Sequence, residues 1–198
     1  MALKMLSIAM IGGFARIAVS HFRVCASTSS ATRGRTAREQ GVFTDQALFT
    51  DFILACFHHL AVFALVAILA AEIVLLRPQL DAAGVARIAR MDLAYGIVAA
   101  VVIVAGFSRV FFGAKGAGYY FHNYVFWTKI GIFALVGILS IRPTLRFLAW
   151  RRALAMDSLA LPAAADVRAA KLFVHVEATL VLLLPILGAA MARGYGSF

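Results

Sequence analysis

Four long apolar stretches constrain the fold of this 198-residue chain more than any other feature of its sequence. A helix needs about 20 consecutive apolar residues to cross the hydrocarbon core of a bilayer. Stretches at about 48–76, 91–112, 122–146 and 170–192 meet that requirement. Short links between them favour antiparallel neighbours. The sequence therefore predicts an all-α membrane protein, a four-transmembrane-helix antiparallel bundle.

The composition excludes the soluble classes of protein. Hydrophobic residues make up 63% of the chain and charged residues 14%, whereas soluble domains are about 45–50% apolar and about 25% charged. The formal net charge is +10, and the positive charges lie mostly between the apolar stretches. The positive-inside rule explains that pattern without an anionic partner. We therefore expect the lipid bilayer, and no nucleic acid, as the partner of the chain.

The first 45 residues differ from the rest of the chain. They are rich in arginine, serine and threonine and poor in acids, as in a targeting segment. Three interpretations stay open, namely a signal peptide, an organelle-type presequence and a mis-assigned start codon. Each of them leaves residues 1–45 outside the bundle and predicts a transmembrane domain over residues 46–196.

The links between the stretches predict the orientation. The first link carries Arg87 and Arg90 and the third carries Arg151 and Arg152, whereas the second contains Lys115 as its one cation. Cytoplasmic loops are enriched in lysine and arginine. We expect a multi-pass membrane protein, with the first and third links in the cytoplasm and both termini outside.

Ionisable residues inside apolar helices are candidates for function, because burying them in lipid costs free energy unless a partner or ligand offsets it. Helical spacing places His58 and Glu72 on one face, and His122 and Lys129 on another. Sorted by depth, the residues form two layers. The outer layer is basic and consists of His58, His59, Arg109, His122 and Lys129. The inner layer contains Glu72, Asp92, His175 and Glu177.

The outer layer suggests a haem or porphyrin site. Neutral imidazoles from facing helices are common axial ligands of haem iron, and cationic side chains bind its carboxylates. The predicted cofactor-binding residues are His58, His59, Arg109, His122, Lys129 and His175. His58 and His175 are the first choice for metal ligands, and haem b or a related porphyrin is the predicted cofactor, with a redox or cofactor-handling role.

Two other functions fit the same residues. The chain is alternatively a non-enzymatic scaffold or assembly module, in which the polar groups only satisfy one another. A third possibility is that the chain handles copper or another metal, which histidine side chains would bind without a porphyrin. Whether the chain is an enzyme stays open, and a membrane redox partner or a second copy of the chain is the expected protein partner.

Four segments carry a resemblance to a known family. FHHLAVFALVAILAAEIVLLRP, ARMDLAYGIVAAVVIVAGFSRVFFGAKG, YYFHNYVFWTKIGIFALVGILSIRPTLRFLAWRR and VHVEATLVLLLPILGAAMARGYG resemble the bacterial membrane family called domain of unknown function 2214. The resemblance implies four helices in the inner membrane and implies no activity. The layout also resembles, more distantly, HemJ-type protoporphyrinogen oxidases and the CopD membrane domain. His58 and the stretch from Trp127 to Lys129 fall where HemJ has a histidine and a Trp-x-Lys motif.

Overall fold

The computed structural model describes the backbone of residues 37–197 and the side chains of residues 45–197. Six helices follow one another along this part of the chain. They are α1 (Ala37–Leu75), α2 (Ala82–Phe112), α3 (Gly116–Phe121), α4 (Tyr124–Leu139), α5 (Ile141–Met156) and α6 (Ala164–Ala192).

Four spans of the described chain are long and apolar enough to cross a membrane. They are Asp45–Leu75, Ala82–Phe112, Tyr124–Met156 and Ala164–Ala192. The third span combines α4 and α5, and short α3 lies in the link before it. The predicted all-α fold with four transmembrane helices is confirmed.

The second and fourth helices begin earlier than hydropathy predicts. α2 begins at Ala82, where the Asp81 carboxylate accepts a hydrogen bond of 2.7 Å from the Gly84 backbone N–H. α6 begins at Ala164, with Asp166 in its first turn. An acidic side chain at a helix N-terminus stabilises the exposed N–H groups and the helix dipole. Hydropathy thus marked the apolar part of each helix, and the helices begin at polar flanks, with a side-chain cap from Asp81 at α2 and an acidic first turn without a side-chain cap at α6.

A break near the middle divides the third span. α4 ends at Leu139 and α5 begins at Ile141, with Pro143 in the first turn of α5. Proline is tolerated there because the first N–H groups of a helix have no intrahelical partner. Pro143 thus lies just after the break, and α5 continues the span beyond it.

The helices pack as a ring with its densest core at one end. α1 contacts α2 and α6, α5 contacts both α2 and α6, and α4 packs on α6. Buried side chains from every side of this core include Leu76, Ile88, Phe147 and Val174. We call this end of the bundle the α5 end. At the opposite end, the α3 end, α2 and α4 make little direct backbone contact and space is left between the helices.

The chain closes on itself at the α3 end. Buried Asn123 caps α4 by accepting a hydrogen bond from the Val125 N–H, and its amide donates to the Tyr195 carbonyl. The Tyr124 N–H donates to the Gly196 carbonyl, with an N···O distance of 2.8 Å. Gly196 has φ +84°, a conformation that glycine adopts without strain. These bonds join the segment after α6 to the start of α4.

Two predictions about organisation stay predictions. α1 begins at Ala37, and the expected separate role of residues 1–45 falls mostly on residues outside the described range. The predicted orientation, with both termini outside, is not determined by the fold of the chain alone. The α3 end and the α5 end are ends of the bundle, and neither is assigned to a side of the membrane.

Candidate ligand-binding cavity

A cavity of about 350 Å³ lies inside the α3 half of the bundle. It is enclosed by α1, α2, α4 and α6, and α3 forms its roof. Small-molecule sites in proteins have volumes of about 300–1,000 Å³ and mostly apolar walls. The walls here are built from residues such as Val62, Ile103, Phe126, Phe133 and Leu184. Size and lining are those of a site for an organic ligand.

His58 is the buried histidine of the cavity wall. Its side chain comes from α1 and is 8% exposed. Its Nδ1 is buried and has no hydrogen-bond partner among the described residues. A methyl group at Gly106 on α2 would lie 3.2 Å from Cε1 of the ring. A glycine at that position therefore lets the imidazole lie close against the α2 backbone.

Lys129 brings a second basic group into the cavity, from α4. Its Nζ lies 3.7 Å from where a Cβ on Gly188 of α6 would stand, so the ammonium group lies against α6 at Gly188. Lys129 and His58 interact electrostatically, and both are near Arg109. In the part of the chain that the structure describes, Lys129 forms no ion pair with a carboxylate.

Arg109 supplies the third basic group, from α2. Its Nη2 is 3.5 Å from Oδ1 of Asp51, and each of the two side chains is about a quarter exposed, at 25% and 26%. Its Nε is buried and has no hydrogen-bond partner in the described range. The sequence reasoning missed Asp51. The signal was present, because Asp51 precedes His58 by seven residues and so lies on the same face of α1.

Two tyrosines and a lysine form the roof. The Tyr119 hydroxyl donates to the Met191 carbonyl at 2.6 Å, which joins α3 to α6. The Lys115 ammonium lies 4.5 Å from the centre of the Tyr119 ring. Burial raises the pKa of Tyr120, and the nearby Arg109 guanidinium opposes that shift. The Tyr120 hydroxyl is therefore neutral at physiological pH and presents a dipole to the cavity.

The other predicted histidines are placed differently. His59 lines the cavity but is exposed, and His122 and His175 are exposed and do not line it. Nδ1 of each of the three is within 3.0 Å of the carbonyl oxygen four residues earlier. His175 precedes Gly188 by 13 residues, which is about 20 Å along α6. Of the six predicted site residues, the cavity contains His58, His59, Arg109 and Lys129.

The geometry bears on how a metal would be held. The rings of His58 and His59 are 6.0 Å apart with planes at 86°, and they come from adjacent positions of one helix. Two such residues do not reach opposite sides of one iron atom. The structure does not bring His58 and His175 together, so their ligation of a shared metal stays a prediction. Among residues 45–197, no group of three or more histidine, cysteine or acidic side chains is arranged to hold a metal ion.

A second polar group of residues lies at the α5 end. We call Glu72, Asp92, Tyr95, Thr144 and Glu177 the carboxyl cluster. The three acids are 2–7% exposed, with Glu177 the least exposed. The Thr144 hydroxyl donates to Asp92 at 2.8 Å, and Tyr95 is hydrogen-bonded to Glu177. The predicted inner layer of acids is thus a contiguous group that joins α1, α2, α5 and α6, with His175 outside it.

Comparison with known proteins identifies a family and no activity. No curated protein and no solved structure matches the chain significantly. The likeness to HemJ and CopD accordingly stays an expectation. The model of one family, described as "Predicted membrane protein (DUF2214)", matches residues 50–196, which include most of the first span, the other three spans, and every residue of the cavity and of the carboxyl cluster. The chain belongs to the DUF2214 family of predicted membrane proteins.

Proposed function

We propose that this protein binds an amphipathic organic acid in the cavity at its α3 end. The observation that carries the proposal is the excess of basic groups over acids there. His58, Arg109 and Lys129 line one apolar cavity, and Asp51 is the single acid paired with them in the described chain. A ligand with an apolar body and a carboxylate or phosphate head matches both the walls and the charge.

The energetics favour such a ligand over an empty site. A lysine or arginine held inside a membrane costs several kcal/mol unless an anion, water or backbone carbonyl offsets it. Lys129 lacks a carboxylate partner among the described residues. Arg109 has Asp51 as its acidic partner, at the relatively long distance of 3.5 Å. An incoming anion would make charge-assisted hydrogen bonds to both cations, which are the stronger class of hydrogen bond.

A haem-type porphyrin is the specific ligand we propose to test first. It combines a flat apolar ring with two carboxylates, and iron bound in the ring supplies one-electron redox chemistry. Lys129 and Arg109 would hold the carboxylates, and His58 would face the ring as its one buried imidazole. His59 lies at the exposed edge of the cavity. This arrangement supports a site with one histidine rather than the two-histidine scheme expected from the sequence.

The experiment is a binding titration of the purified full-length protein in a neutral detergent. Protoporphyrin IX is followed by fluorescence and haemin by absorption. The matched control ligand is protoporphyrin IX dimethyl ester, which has the same ring without negative charge. We expect the free acid to bind more tightly than the ester, since the cations contribute only to the acid. Equal binding of acid and ester, or no binding of either, would contradict the proposal.

Variants of the two lysines at opposite ends of the bundle sharpen this test. Lys129→Met keeps length and removes the charge, and we expect it to weaken binding of the free acid about ten- to hundredfold, the value of one charged hydrogen bond. The ester should bind the variant and the original protein alike. Lys171→Met makes the same change outside the cavity and should leave both affinities unchanged. Identical effects of the two substitutions would rule out a specific role for Lys129.

A further inference from the structure

We infer that the ligand reaches the cavity sideways from the bilayer, through a gap between α1 and α6. This inference rests on the proposed function and adds the route and the class of acid. The gap, which we call the α1–α6 portal, is bordered by His59 and Phe63 on α1 and by Pro185 and Ala189 on α6. All four residues line the cavity and are exposed on the surface of the bundle.

The exposure of the cavity walls differs between the two sides of the bundle. The wall residues of α2 and α4 are buried or half-buried, as illustrated by Ile103 at 5% and Phe126 at 6%. On α1, by contrast, Phe63 lines the same cavity with 64% of its surface exposed. A residue that both lines a cavity and faces the outside marks its mouth. Four such residues border the α1–α6 portal and two more, Lys115 and Ala192, lie at the roof, so the larger part of the mouth is on the α1–α6 side.

The sequence of α6 explains why the helices separate there. Pro185 lies inside α6, where proline removes one backbone hydrogen bond and bends the helix. Gly188 and Ala189 follow within one turn and carry too little side chain to fill a gap. Further toward the α5 end, Leu65 of α1 and Val181 of α6 belong to the same tightly buried core. The portal thus begins where Pro185 ends the close packing of α1 and α6.

The roof and the portal differ in polarity and in closure. The roof is fastened to α6 by the bond from Tyr119 to Met191, and Tyr120 beneath it is 5% exposed. The portal is bordered by apolar Phe63 and Pro185, with the Lys129 ammonium one turn beyond them at Gly188. An acid dissolved in the membrane passes apolar groups before its head reaches the cations. The ligand class is accordingly an acid that partitions into the bilayer, rather than a water-soluble metabolite.

A substitution that narrows the portal tests the route by kinetics. Ala189→Phe adds a ring at the mouth, on the exposed side of α6. The protein is placed in phosphatidylcholine vesicles that contain protoporphyrin IX, and binding and release are followed by fluorescence. We expect the rate constants of binding and of release both to fall, by about tenfold, because a narrowed route slows passage in both directions. Unchanged rates, or a changed Kd with an unchanged release rate, would overturn the portal.

A matched control uses the same change elsewhere on the lipid-facing surface. Ala64 is exposed on α1, next to Phe63 in sequence, and does not line the cavity. Ala64→Phe should leave both rate constants unchanged. If it slows binding as much as Ala189→Phe does, the effect comes from bulk on the helix surface and the portal is wrong.

A second readout works without the ligand. Phe133 lies in the cavity wall, and Phe133→Trp places a fluorophore there. In vesicles of brominated phosphatidylcholine, we expect lipid chains entering the portal to quench the added tryptophan emission, and Ala189→Phe to reduce that quenching. The emission of the parent protein, with Trp127 and Trp150, is subtracted. Quenching that Ala189→Phe leaves unchanged would overturn the portal. Reduced quenching together with absent porphyrin binding would retain the portal and reject the proposed porphyrin ligand.

Discussion

The two ends of this bundle bury polar side chains for opposite purposes. At the α5 end, hydroxyl groups from other helices bond to Asp92 and Glu177, as in the bond from Thr144 to Asp92. At the α3 end, three bases line a cavity, and the one ion pair found there in the described chain joins Arg109 to Asp51. Hydrogen bonds between buried polar groups of different helices hold helices together, whereas buried cations without a nearby acid in a membrane point to a ligand. Acids and hydroxyl groups thus link helices in one half, and bases line the proposed ligand site in the other.

This difference is also one of connectivity. The hydrogen bond from Tyr95 to Glu177 joins α2 to α6, and that from Thr144 to Asp92 joins α5 to α2. The ion pair of Arg109 with Asp51 joins α2 to α1 near the surface, with both side chains about a quarter exposed, at 25% and 26%. Substitutions at the two ends should therefore change stability in opposite directions, and four experiments test whether they do.

The largest expected effect on stability is at Glu177. Glu177→Ala removes the hydrogen bond to Tyr95 and leaves a void among buried side chains, so we expect the free energy of unfolding to fall by about 2–3 kcal/mol. Unfolding in mixed micelles of increasing SDS content measures this value. Glu177→Gln keeps the volume and should cost about half as much, near 1 kcal/mol. A loss smaller for Ala than for Gln would contradict this reading of the carboxyl cluster.

The opposite sign is expected at the cavity. Lys129→Met replaces a cation that has no acid partner in the described chain by an apolar group of similar length. We expect the free energy of unfolding without ligand to stay the same or to rise by about 1–2 kcal/mol, as when poorly compensated buried charges are replaced. Lys171→Met, outside the cavity, is the control and should change little. If Lys129→Met is as destabilising as Glu177→Ala, the two ends do not differ and the comparison fails.

A smaller effect isolates one hydrogen bond of the carboxyl cluster. Thr144→Val removes the hydroxyl that donates to Asp92 and should lower the free energy of unfolding by about 1 kcal/mol, the usual scale for interhelical bonds in membranes. Thr179 is an exposed threonine whose hydroxyl donates to the backbone carbonyl four residues earlier. Thr179→Val should leave the free energy of unfolding unchanged in the same SDS titration. If both substitutions lower that free energy equally, the effect comes from the helix backbone and not from the hydrogen bond to Asp92.

The smallest effect is expected for the ion pair beside the cavity. A double-mutant cycle with Asp51→Asn and Arg109→Gln should give a coupling energy below about 1 kcal/mol, because ion pairs that are accessible to solvent are weak. Thermal unfolding in detergent at two salt concentrations measures the coupling and its screening. A coupling above 2 kcal/mol, by the same scale, would show that Asp51 already satisfies Arg109 and would remove one cation from the proposed ligand site.

The sequence predicted the fold and part of the site for separable reasons. Apolar length alone predicts four spans, because lipid imposes it, while the helix beginnings at Ala82 and Ala164 depend on polar residues outside the lipid. His58, Arg109 and Lys129 were placed in one layer by depth, and the structure does bring them together at the cavity. The sequence predicts the depth of a residue along its helix. The direction in which each helix face points, and which helices are its neighbours, are determined by packing.

His122 and His175, which do not line the cavity, illustrate that limit. The spacing of seven residues put His122 on the face of Lys129, but α4 begins at Tyr124 and His122 ends α3 instead. A helical phase does not continue across a break between two helices. His175 is at the depth of the carboxyl cluster, yet it lies about 200° around α6 from Glu177. Because Glu177 faces inward and is 2% exposed, His175 faces outward.

The hydrogen bonds between the start of α4 and the segment after α6 offer a way to determine which side of the membrane the roof faces. The bonds from Asn123 to Tyr195 and from Tyr124 to Gly196 hold the last described residues against the start of α4, beside the roof of the cavity. A reporter enzyme fused after Phe198 is therefore carried on the same side of the membrane as that roof. In a bacterial expression host, alkaline phosphatase fused there would be active if the roof faces the periplasm of the host, and a fluorescent protein would be bright if it faces the cytoplasm. One pair of fusions would assign the leaflet in which the portal opens.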